Sequence, residues 1–185
     1  MNKYLANIAK TEARKFFHGN VTGATTNLHP ISDLFPYSEN WDVNSWDNKW
    51  CAAFVYWCCI NAGYNLPVRY ANKTVSCNFA GCIAWEQWAK LPEVDYWIYK
   101  SKQAQIGDIV LFDYVFNNEE HDHIAIIVDV HEDYITTAEG NFNNVSAIVK
   151  RPYDNVRGYI RLNQDIDEWH GRVVKEEIPD EIISC

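Results

Sequence analysis

An α+β fold, with N-terminal helices packed on one face of an antiparallel sheet of five or six strands, is what this sequence predicts. Three observations carry that expectation. In the first half of the chain apolar residues recur at spacings of three and four. After Pro92 the pattern changes to short β-branched and aromatic runs separated by Gly, Asn, Asp and Glu. Helices come first and strands afterwards, without the βαβ alternation that would build a parallel sheet.

The opening helix is expected over 2–17, where Leu5, Ile8, Ala9, Ala13, Phe16 and Phe17 form one apolar stripe closed by Gly19. Residues 21–49 are rich in Asn, Ser, Asp, Gly and Pro, show neither helical nor strand period, and predict a long surface loop. Loops of that length usually serve function. The segment 51–62 is apolar nearly all round, as suits a helix buried inside a domain, and Gly63 supplies its stop. A third helix is expected over 78–91, ended by Pro92. Strands are expected at 108–115, 124–130, 134–138, 147–151 and 158–162. The charged remainder, 163–185, predicts an acidic tail lying over the surface of a single catalytic domain that spans 1–162.

Composition removes several classes of function. The 185 residues are 48% hydrophobic and 15% aromatic, far from the composition of a disordered chain. Sixteen Lys and Arg against 25 Asp and Glu give a net charge of −9, the wrong sign for a nucleic-acid binder, which needs basic residues to release counterions. No run approaches the roughly 20 apolar residues of a membrane span, and Lys, Asn, Glu and Arg break up the N-terminus so that no signal-peptide core can be drawn. Synthesis in the cytoplasm as a soluble monomer is the expectation. The six cysteines include the adjacent pair Cys58 and Cys59 in a helical segment, where neighbouring side chains point apart, so reduced thiols are expected rather than a disulfide framework.

Three short segments carry chemistry. Cys51 follows a polar loop and opens the central helix, where unpaired backbone N–H groups and the helix dipole stabilise a thiolate; such placement can lower a thiol pKa to about 3.5–7.5. Next, Gly107-Asp108-Ile109-Val110-Leu111-Phe112 leads to His121-Asp122-His123 and the apolar run Ile124 to Val128. A histidine at the start of that strand can turn its ring toward the thiol and act as a general base. Spacing alone does not choose between His121 and His123, which a period of two puts on one side. Third, Glu139-Gly140-Asn141 ends the following strand, with Glu139 and Asn141 on one face, where an acid or amide fixes the tautomer of a histidine. Taken singly, each segment has a plainer explanation, namely a packed cysteine, a hairpin histidine and a hairpin turn.

Together, in this order, they resemble the CHAP amidases of the papain-like/NlpC-type superfamily. Trp50-Cys51-Ala52-Ala53-Phe54-Val55 resembles the nucleophile motif, Gly107-Asp108-Ile109-Val110 the strand motif, and His123-Ile124-Ala125-Ile126-Ile127-Val128 the base motif. Glu139-Gly140-Asn141 resembles the third. The resemblance runs from about Cys51 to Leu162 and implies a papain-like arrangement of the α+β fold. It implies Cys51 as nucleophile, His123 rather than His121 as base, Glu139 as the orienting acid and Asn141 as a fourth polar member. Many members carry Gln where this chain has Trp50, which leaves the second oxyanion donor unassigned. Asp42-Val43-Asn44-Ser45-Trp46-Asp47 resembles the calcium loop of some phage members, with Asn44 in place of a usual Asp. Calcium accepts such oxygens, but a polar turn without metal or other cofactor is the expectation for Asp42, Asn44 and Asp47.

The implied activity is amide hydrolysis through a thioester, with peptidoglycan as substrate and either an N-acetylmuramoyl-L-alanine amidase or an endopeptidase specificity. The wall would be reached after phage lysis or delivery by a secretion system. Trp41, Trp46, Trp50 and Phe142 are candidates for the walls of the substrate cleft, with core packing as the alternative. Two other functions compete: an amidase of a soluble substrate such as glutathionylspermidine, and a non-catalytic binding or structural protein with the same fold.

Overall fold

A computed structural model of the chain describes residues 1–19, 25–35, 49–101 and 103–162. The expectations placed on Trp41, Asp42, Asn44, Trp46, Asp47 and the tail 163–185 lie outside the described residues. Helix α1, Lys3–Ala13, starts where the Asn2 side chain accepts from the Leu5 N–H at 3.1 Å, and it buries Leu5, Ala6, Ala9 and Ala13. Its stripe also carries Glu12, which stays buried because it accepts from the Trp57 indole N–H at 2.7 Å and pairs with Lys15.

Within the expected loop the described part contains a single helical turn, α2, His29–Ser32, with Pro30 in its first turn. Helix α3, Cys51–Asn61, buries residues on every side, as its apolar composition requires. Helix α4, Cys82–Ala89, begins four residues later than the expected 78–91. Its start is delayed because the Asn78 side chain accepts from the Ala80 N–H at 3.0 Å, holding a turn, and Gly81 then takes an extended N-cap conformation.

The sheet has six strands: β1 Trp97–Tyr99, β2 Ile109–Phe112, β3 His123–Val130, β4 Tyr134–Phe142, β5 Val145–Pro152 and β6 Val156–Ile160. Their order is β1-β6-β2-β3-β4-β5 and every pairing is antiparallel. The fold is α+β, as its sequence pattern predicts. The three-residue β1 was not among the expected strands and pairs with β6 at one edge. Along β3 the period of two sends Ile124, Ile126 and Val128 into the large core that contains α3, and Ala125 and Ile127 into a smaller cluster on the other face. Gly107 enters β2 at φ +88° and lies against the start of α1, with its own Cα so close that an added Cβ would sit 2.1 Å from the Asn2 carbonyl oxygen.

The start of the chain is fastened to the sheet at two places. Asn2 N–H donates to the Ile106 carbonyl at 2.8 Å. Ser146 of β5, itself 1% exposed, accepts from the Phe17 N–H and donates to the Ala13 carbonyl, both at 2.9 Å. One expectation is corrected: Cys77 is disulfide-bonded, whereas Cys51, Cys58, Cys59 and Cys82 are free thiols. The adjacency of Cys58 and Cys59 bore only on those two residues and said nothing about Cys77, which lies in the segment between α3 and α4.

Candidate active site

Cys51 is the first residue of α3, so the first N–H groups of the helix have no partner in a preceding turn, and the Ala52 N–H acts on its sulfur. Across from it stands His123, the first residue of β3. By alternation this histidine belongs to the face of Ala125 and Ile127, away from α3, and its ring lies against Phe112 (centroids 6.1 Å apart). Standing at the first position of β3, it also acts on Cys51, favouring the charged thiolate.

The His123 ring is held from behind. His123 Nε2 donates to Glu139 Oε2 at 2.7 Å, and both side chains are completely buried. Glu139 in turn accepts from Thr137 Oγ1 at 2.6 Å and takes a two-pronged contact from Arg151, Nε to Oε1 at 2.8 Å and Nη2 to Oε2 at 2.7 Å. Each carboxylate oxygen therefore has two donors. The Arg151 guanidinium lies within 5.2–5.9 Å of the ring centres of Phe112, Phe116 and Phe142. Phe116 also meets His123 edge-on at 4.9 Å, closing the histidine off from that side.

Charge states follow from these contacts. Burial on its own would lower the His123 pKa, but the Glu139 charge and the contacts with Glu139 and Cys51 outweigh it and raise it to about 9. Burial would raise Glu139, yet Arg151 and His123 hold it at about 2. The Cys51 thiol is held well below its ordinary range by its contact with Cys82, against burial, with His123 and the Ala52 N–H helping. A thiolate–imidazolium pair at neutral pH is the state this arrangement favours. Such a pair can attack a carbonyl carbon and protonate a departing amine.

Each sequence-predicted residue among the described ones has a definite place. His121 lies just before β3 with φ +56°, off the strand, and its Nε2 contacts Glu86 in a separate charged cluster with Lys90 and Arg157. Asn141 adopts φ +65°, and its buried Oδ1 makes no hydrogen bond among the described residues, so it is not joined to His123. Phe142 is half-buried and covers Arg151. Trp50 does not line a cleft: it is 0% exposed, its indole N–H donates to Asn144 Oδ1 at 3.0 Å, and its ring packs on Phe54. A fully enclosed ring cannot touch substrate.

Cys82, Thr137, Phe116 and Arg151 were not singled out from sequence. Thr137 had a readable signal, since it shares a face with Glu139 two residues on. Arg151 had one only in retrospect, because charged residues on an edge strand ordinarily face water. Among the described residues no group of three or more His, Cys, Asp or Glu is arranged to hold a metal ion.

The family model of the CHAP domain matches residues 43–141. The chain belongs to the CHAP domain family. Comparison with curated proteins and with solved structures gives no significant match. CHAP domains are typically amide hydrolases, often of peptidoglycan. The matched stretch of this CHAP domain contains Cys51, Cys82, His123, Glu139 and Asn141, whereas Arg151 lies beyond it. No helix among the described residues is long and apolar enough to cross a membrane.

Proposed function

We propose that this CHAP domain is a cysteine amidase or endopeptidase of peptidoglycan, with Cys51 as nucleophile, His123 as acid and base, and Glu139 as the group that orients His123. The observation that carries the reading is the buried chain Arg151–Glu139–His123, whose imidazole acts electrostatically on a thiol at a helix N-terminus. It supplies a charged nucleophile and a proton donor in one place, without a proton first having to be removed from the thiol.

The Cys51 thiolate attacks the amide carbonyl carbon, forming a C–S bond and moving the carbonyl π electrons onto oxygen. The Cys51 backbone N–H, which has no partner among the described residues, is the first donor to that oxyanion. Collapse re-forms the carbonyl and breaks the C–N bond, and the His123 imidazolium gives its proton to the departing amine. The neutral imidazole then takes a proton from water as the water oxygen attacks the thioester, and Cys51 leaves as thiolate beside a recharged His123. Glu139 keeps its charge throughout, stabilising the imidazolium at the start and end of the cycle.

Peptidoglycan walls of several chemotypes, digested with the protein and examined by mass spectrometry of the fragments, test the reading. The expected result is a defined set of new termini that names the bond cut, either N-acetylmuramoyl-L-alanine or a bond in the stem peptide or cross-bridge. Cys51→Ala and His123→Ala are expected to release nothing. Silence of the wild type on every wall, together with rapid alkylation of Cys51 at neutral pH, would keep the nucleophile and reject the wall, pointing to soluble amides.

A further inference from the structure

The mechanism above leaves one sulfur next to the reacting atom without a task. Cys82 is the first residue of α4, preceded by Gly81 in an extended N-cap conformation. Cys82 Sγ lies 3.6 Å from Cys51 Sγ, although 31 residues separate the two in the chain. Both residues are buried, at 9% and 7% exposure. Two thiolates at that distance, away from water, would repel strongly, so one sulfur must keep its proton and direct it at the other. The surroundings decide which. Cys51 faces His123 of β3 and the Ala52 N–H, which favour negative charge, while Cys82 faces the carboxylate of Asp122, just before β3, which opposes it. Glu139 of β4 and Arg151 of β5 stand behind His123 and largely balance each other.

We propose that Cys82 donates its S–H to the Cys51 thiolate, and so sets the charge and direction of the nucleophile and stabilises it again as the leaving group when water resolves the thioester. No proton leaves Cys82 in either step; it only points at a sulfur that is charged before attack, uncharged in the thioester and charged after release. The inference rests on the reading of Cys51 as nucleophile. The balance of charges agrees with it: the contact with Cys82 is the largest influence holding the Cys51 thiol down, and the same contact, burial and Asp122 push the Cys82 thiol well up.

The test uses the full chain without substrate: the rate of iodoacetamide alkylation of Cys51 is measured against pH, with the label assigned to Cys51 by peptide mass spectrometry. Cys82→Ala removes the donor, Cys82→Val removes it while filling the space of the sulfur, and Cys82→Ser replaces it with a hydroxyl. Ala and Val are expected to move the alkylation midpoint to higher pH and to slow labelling below the midpoint about tenfold, the size of effect expected for a hydrogen bond to a charged acceptor. Ser is expected to restore most of the loss. A midpoint unchanged in Cys82→Ala and Cys82→Val overturns the proposal, and so does a Ser variant displaced as far as Ala, because packing rather than donation would then be responsible. If the wild type is silent on every wall while the midpoint still depends on the residue at 82, the substrate assignment fails and the role of Cys82 stands.

Discussion

Glu139 carries more bonds than any other side chain around His123, and their distribution fixes how the site responds to pH. One of its oxygens is shared between His123 and Arg151, so the carboxylate charge that raises His123 is partly offset by the guanidinium. A group raised in the folded state, as His123 is to about 9, is protonated below that value and loses its proton above it. Catalysis is therefore expected to fall on the alkaline side near pH 9, and on the acid side where the depressed Cys51 thiol takes up its proton; a pH–rate profile on a released amine checks both limbs. Arg151→Met removes a positive charge next to the imidazolium, so the alkaline limb is expected to move to higher pH. The same change leaves a buried carboxylate with one cation fewer, a situation that costs about 3 kcal/mol or more, and urea unfolding measures it. A lower rate with no movement of the alkaline limb would mean that Arg151 only packs.

At the scale of elements, α3 and β3 do most of the positioning, and Gly140 of β4 sets the distance between the helix and the sheet. A Cβ built on Gly140 would fall 2.3 Å from Phe54 Cβ and 2.8 Å from the Trp50 ring. Gly140→Ala is thus expected to push the first turn of α3 outward, destabilising the protein by about 1–3 kcal/mol, as overpacked sites do. Cys51 labelling should slow as well, because its sulfur moves away from His123. Much of this was legible in the sequence. The all-round apolar pattern of 51–62 marks α3, the Ile–Val run marks β3, and Cys51, His123 and Glu139 are named by motif and order. What escaped depends on tertiary contact. A lysine or arginine on a strand is read as solvent-facing until a carboxylate is found beneath it, which hid Arg151. Cys82 looks like one more core residue of α4 until α4 is docked against α3. Trp50, next to Cys51 in sequence, stands at the N-cap of α3, where its indole N–H is taken by Asn144 and its ring packs on Phe54, so of the two expectations for it core packing is the one that applies.

For the molecule as a whole, two buried carboxylates on different elements are expected to govern acid stability. Glu139 and Glu86 are both held at about 2, Glu86 by His121, Lys90 and Arg157 against burial. Groups with depressed folded pKa values contribute stability that is complete above the unfolded value of 4.5 and disappears as pH falls toward 2. The share of these two carboxylates in the urea midpoint is expected to be constant above about pH 5.5 and to be lost steeply below 4.5; Glu86→Gln should shorten that drop, leaving the share of Glu139. The core itself should yield to a single truncation: Ile126→Ala, at a fully buried position of β3, is expected to cost about 2–5 kcal/mol in the same assay. The fastening of residues 1–17 adds a mechanical property. Because Ser146 bonds both Ala13 and Phe17, and Asn2 bonds Ile106, the first helix works as a clasp that spans the sheet from the entry of β2 to the outer strand β5. A clasp is released as a unit, so Ser146→Ala should loosen more than its own two hydrogen bonds. Amides of β5, the strand farthest from β1, should then exchange with deuterium ahead of those of β2, and the half of the sheet that carries Arg151 should come undone before the half that carries Asp108.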